Sequence, residues 1–94
     1  MLPEEKLAQI VARREVLEAR LNAGPPAGEL AALSREYAEL APVVEAIGAL
    51  RGLLREREEA ERMLADPEMR ELAAEELERV RAALPEVEQA VRLG

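Results

Sequence analysis

Asp66-Pro67-Glu68-Met69-Arg70-Glu71-Leu72-Ala73 is the stretch that decides the fold, because a helix start signal runs straight into a heptad seam. The Asp66 carboxylate can accept from free amides of a first turn, Pro67 loses no hydrogen bond there, and Glu68 meets the positive end of the dipole. Ala73, Leu77, Val80, Leu84, Val87 and Val91 then alternate spacings of four and three. Such a seam wants one or two long partner helices. A helix over about 67–92 follows, with the preceding helix as its antiparallel partner. Pro85 stands beside the seam on the outer face, where loss of the bond to Arg81 predicts a bend and not a stop.

Upstream, Val43, Val44, Ile47, Leu50, Leu54, Ala60 and Leu64 mark a helix over about 42–65. Glu58 to Arg62, Arg55 to Glu59 and Arg57 to Glu61 are four apart, pairs that help by about 0.2–0.5 kcal/mol each. Gly48 and Gly52 each cost roughly 1 kcal/mol against alanine, so they mark either a close helix crossing or simple tolerance. Pro42 disfavours the α conformation at Ala41 and has no N–H for the carbonyl four residues back, which predicts a break or sharp kink. Before it, Leu30, Leu33, Tyr37 and Leu40 stripe a short helix over about 29–41. Asn22 to Gly28 holds two prolines and two glycines and reads as a loop. The first helix spans about 3–22, opened by Pro3, Glu4 and Glu5, closed by Gly24, and buried along Leu7, Ile10, Val11, Leu17 and Leu21.

The pattern is therefore all-α: a small bundle of three to four helices with a long antiparallel hairpin. Composition agrees, since Ala, Leu, Glu and Arg dominate and Tyr37 is the only aromatic residue. Ninety-four residues make one domain with a thin aliphatic core. No fixed-period repeat and no low-complexity tail interrupts it. Of the 13 basic residues only Lys6 is lysine, and the arginine and alanine usage suggests a GC-rich genome.

Composition also bounds the chemistry. Without cysteine there is no disulfide, thiolate metal site or thiol nucleophile, and without histidine the usual metal ligand and general base are missing. The expectation is no enzyme, with no catalytic, cofactor-binding or metal residues. The formal charge of −7 makes nucleic acid a poor primary partner. Met1 to Glu5 lacks a basic leader, and no window approaches the roughly 20 apolar residues of a membrane span. A cytoplasmic location without membrane contact is the expectation.

Several features carry two readings each. Adjacent carboxylates Glu58-Glu59 and Glu75-Glu76 are either solvated faces or, less naturally for helix neighbours pointing about 100° apart, an acid/base pair. Met63 and Met69 either fill irregular core space or form an adaptable contact surface. Tyr37 either anchors its helix or meets a partner. Arg51, Arg55 and Arg62 are either a basic stripe or members of ion pairs with Glu58, Glu59 and Glu61.

Leu33-Ser34-Arg35-Glu36-Tyr37-Ala38-Glu39-Leu40 and Asp66-Pro67-Glu68-Met69-Arg70-Glu71-Leu72-Ala73, in this order, resemble the N-terminal domain of bacterial class I peptide chain release factors of the release factor 1 type. The resemblance runs from about Glu29 to the end; the first helix matches only in general character. It implies that residues 1–94 are one N-terminal helical domain of a longer chain whose decoding and Gly-Gly-Gln domains are absent here. It further implies a role in translation termination at the stop codons UAA and UAG, with peptidyl-tRNA hydrolysis and stop-codon contact left to other domains. The implied partner is the ribosome, at the stalk base and GTPase-associated region and near the class II factor. The residues themselves also permit a free-standing coiled-coil adaptor or homodimerisation module, resting on the Ala73 to Val91 seam. Neither reading assigns individual partner-binding residues.

Overall fold

A computed structural model describes residues Pro3 to Leu93 and, among them, three helices and no strand: α1 (Glu4–Asn22), α2 (Ala27–Met63) and α3 (Arg70–Leu93). Met1 and Gly94 lie outside the described residues, as does Leu2. The all-α expectation holds. Pro3 caps α1 in an extended conformation, and its carbonyl accepts from the amides of Lys6 at 3.0 Å and Leu7 at 3.2 Å. At the other end Gly24 takes φ +74 and donates to the Leu21 carbonyl at 3.2 Å. This is half of the two-bond glycine cap; the following Pro25 has no N–H for the other half.

Between the loop and the hairpin turn, one helix of 37 residues replaces the two expected over 29–41 and 42–65. It starts earlier than expected, at Ala27, because the Pro26 carbonyl accepts from Glu29 at 2.9 Å and Leu30 at 3.1 Å. No break occurs at Pro42. An interior proline costs about 3 kcal/mol through one lost hydrogen bond and a ring clash. Here the ring is exposed, while Leu33 on one side and Val43, Ile47 and Leu50 on the other are buried. Packing on both flanks holds the helix through its weak turn.

The start of α3 also differs from the expected Pro67. Asp66 acts as the cap, its Oδ1 accepting from the Glu68 amide at 3.0 Å. Its carbonyl, however, accepts from Met69 at 3.0 Å in a tight turn, and the next bond runs from Ala73 to the Met69 carbonyl at 2.8 Å. Regular α structure thus begins at Arg70. Arg70 reaches back with Nε to the Leu64 carbonyl at 3.3 Å, satisfying an acceptor left over at the end of α2. α3 runs uninterrupted through the exposed Pro85, so the proline is not a stop.

Both shorter helices lie antiparallel on α2, at different places along it. The α1 register is marked by Arg20 with Glu29, Arg13 with Glu36 and Glu4 with Arg51. The α3 register is marked by Arg79 with Glu56, and by Val87 and Ala90 beside Ala46 and Ala49. α1 therefore covers the first half of α2 and α3 covers the second. They overlap around 43–51, where Leu7, Val43, Ile47, Leu50 and Val91 form the core, joined by Ile10, Leu40, Leu54 and Leu84. The result is a rod of 61 × 24 × 19 Å, three helices thick in the middle and two at either end.

Candidate docking surface

Four ion pairs link the helices, Arg13 with Glu36, Arg20 with Glu29, Arg51 with Glu4 and Arg79 with Glu56, and three more lie within a helix. Glu59 accepts from Arg62 at 2.6 Å and Glu76 from Arg79 at 2.5 Å, so each adjacent carboxylate pair has one member bound to arginine. The Arg79 hydrogen bond holds Glu76 below the usual carboxylate range. A carboxylate so held stays ionised and is a poor general acid. Among the described residues no group of three or more His, Cys, Asp or Glu could hold a metal ion. Nor is any helix among them long and apolar enough to cross a membrane.

The expected spacing-of-four pairs on α2 do not form. Arg62 turns to Glu59, three residues away, and α3 repeats that choice with Glu76 to Arg79 and Glu78 to Arg81. The three-residue spacing also places neighbours on one helix face, and Arg79 can then reach Glu56 across the hairpin at 2.8 Å. Arg51 is taken by Glu4 at 2.5 Å. The Arg51, Arg55 and Arg62 set is thus no continuous basic stripe, because two of its members are held by carboxylates.

Tyr37 is half-buried and anchors α2 to α1. The Arg14 guanidinium lies 5.1 Å from the ring centroid, and its Nη2 donates to the Tyr37 hydroxyl at 3.1 Å. Arg14 Nε is buried without a partner. Sequence reasoning misses this arginine, although it falls on the α1 stripe between Val11 and Leu17. Beside it Arg13 grips Glu36 with Nε at 2.7 Å and Nη2 at 2.8 Å, which holds the Glu36 carboxyl below its ordinary range. The two motif stretches of the sequence are therefore put to different structural uses. Leu33 to Leu40 carries the α1 contact, and Asp66 to Ala73 makes the hairpin turn.

Two open grooves run between α2 and α3. One, of about 310 Å³, lies near the hairpin turn and is lined by Glu56, Glu59, Ala60, Met63, Leu72 and Glu76. The other, also about 310 Å³, is lined largely by Pro42, Ala46, Ala49, Val87 and Ala90. Met63 is half-buried and also forms part of the groove wall. Leu72 is 55% exposed, above Val16 at 48% and Leu30 at 46%. Gly48 and Gly52 mark no close helix crossing. A Cβ on Gly48 would meet nothing within 4 Å, and one on Gly52 would meet only the end of Arg55 at 4.0 Å.

Known proteins match this chain along nearly all of it. The PCRF domain model matches residues 10–93. Peptide chain release factor 1 of Paracoccus denitrificans (strain Pd 1222) is 60% identical over the whole chain, which covers 27% of that protein. The same-named protein of Dinoroseobacter shibae is 55% identical with the same coverage, and that of Jannaschia sp. (strain CCS1) is 53% identical over 99% of this chain and 26% of its own. The chain thus spans about a quarter of the length of these relatives. No solved structure matches it. With a family model covering most of α1 and all of α2 and α3, the chain belongs to the PCRF domain family.

Proposed function

We propose that this chain is the N-terminal helical domain of a class I peptide chain release factor, and that it docks the factor on the ribosome during translation termination. The observation that carries the reading is 60% identity to a release factor 1 along the full chain. The rod suits a docking role because it is long, three helices thick in its middle and charged outside, a shape that can position other domains. Recognition of UAA and UAG and hydrolysis of peptidyl-tRNA then belong to the decoding and Gly-Gly-Gln domains of a longer protein. The docking ground is the stalk base and GTPase-associated region, near the class II factor, in the cytoplasm.

The homodimer or adaptor reading has less support. Of its seam residues Ala73, Val80 and Val91 are buried within one chain and Leu77, Leu84 and Val87 are half-buried, so little of the seam is left for a second copy. The test is a reconstituted release reaction on ribosomes stalled at a stop codon. The 94-residue chain alone should release no peptide, and in excess it should slow a full-length factor by competing for its dock. Stop-dependent release by the chain alone would overturn the proposal, as would excess chain having no effect on the full-length factor.

A further inference from the structure

The groove near the hairpin turn is left open by the fold. Among the described residues α1 reaches along α2 as far as the Glu4 to Arg51 pair, and beyond it α2 and α3 pack on each other. There the buried Ala60 and the half-buried Met63 form an apolar floor, and the exposed Leu72 stands at the edge. Glu56 and Glu76 rise from opposite walls and share Arg79, while Glu59 holds Arg62. Both guanidiniums are committed to intramolecular bonds. The surrounding stretch from 55 to 82 carries ten acidic residues against six arginines.

We infer that this groove binds a cationic amphipathic segment of a partner protein, one apolar side chain seated between Met63 and Leu72 with lysine or arginine facing Glu56, Glu59 and Glu76. Net charge decides the occupant, because the three groove carboxylates share only two guanidiniums, Arg62 and Arg79, and keep an acidic excess. A second copy of this chain carries the same formal charge of −7 and is repelled, and nucleic acid is repelled for the same reason. A basic segment is attracted and also finds an apolar seat. Methionine suits such a wall because its unbranched thioether adapts to differing shapes. The inference deepens the docking reading by naming the partner's chemistry, but it rests on the groove itself and its test contains no ribosome, so either can fail alone.

The test titrates the 94-residue chain into a fluorescent helical peptide of leucine and lysine at low salt. Saturable binding is expected, with Leu72→Ser weakening it at least about tenfold, the worth of an unburied leucine. Val16→Ser, at a similarly exposed site on α1, should leave it unchanged, with far-UV circular dichroism verifying that both variants are folded. A peptide with serine for leucine should bind far more weakly, and one with glutamate for lysine not at all. Equal binding of the serine peptide, indifference to Leu72→Ser, or self-association through Leu72 in sedimentation overturns the inference.

Discussion

Ile47 and Gly48 are neighbours on α2 whose substitution by alanine should move stability in opposite directions. Ile47 is fully buried where the three helices overlap, among Leu7, Val43, Leu50 and Val91. Truncating such a residue costs about 2–5 kcal/mol, the upper half applying where the surroundings cannot collapse. Helices held in registers by other contacts cannot follow one side chain inward, so about 3–4 kcal/mol is expected for Ile47→Ala. A chain of this length has roughly 5–14 kcal/mol in all, and a thin core places it toward the lower end. The variant should thus lose a large share of its stability and melt at least about 12 °C lower. Gly48 is exposed, its added Cβ would touch nothing within 4 Å, and alanine should stabilise by about 0.5–1 kcal/mol. Urea unfolding followed by far-UV circular dichroism measures both. A loss below about 1 kcal/mol at Ile47 refutes the three-helix core, and a destabilising Gly48→Ala refutes the open face of α2.

Pro42→Ala returns an N–H to the Ala38 carbonyl in a helix already continuous there, and urea unfolding should register a gain of about 1–3 kcal/mol. Tyr37→Phe removes only the hydroxyl contact with Arg14 and should cost no more than about 1.5 kcal/mol, whereas Tyr37→Ala also removes the anchor and should cost about 3 kcal/mol or more. Arginine hydrogen bonds depress the carboxyl pKa values of Glu36, Glu76 and Glu78 in the folded chain. Their contribution is therefore complete above the ordinary glutamate range and is lost as pH falls through the depressed values. Acid titration of the melting temperature should show that decline, smaller in Glu36→Gln and at high salt, since all three carboxyls are exposed.

How much of the fold is legible in sequence depends on how many partners each helix has. α3 has one, so its apolar residues fall on one stripe, and Ala73, Val80 and Val91 are buried as the heptad predicts. α2 has two partners on different flanks. Its apolar positions spread around the helix, and Pro42 then reads as a boundary when it is only a weak turn held from both sides. The glycines show a related limit: spacing cannot tell whether a missing side chain faces a neighbour or water. Arg14 escapes notice because a charge on an apolar stripe reads as an interruption, yet its stem packs and its head finds Tyr37. Leu72 lies one residue off the seam, and only the structure reveals the groove beside it.

The proposed division of labour, docking by this domain and reading and cutting by others, stands or falls on deletion of residues 1–94 from a full-length factor. The measurement is the rate of peptide release at a stop codon across factor concentrations. Loss of the dock should raise the concentration needed for half-maximal rate by a large factor, with the saturating rate nearly preserved. An unchanged half-saturation concentration, or a collapse of the saturating rate alone, would contradict it.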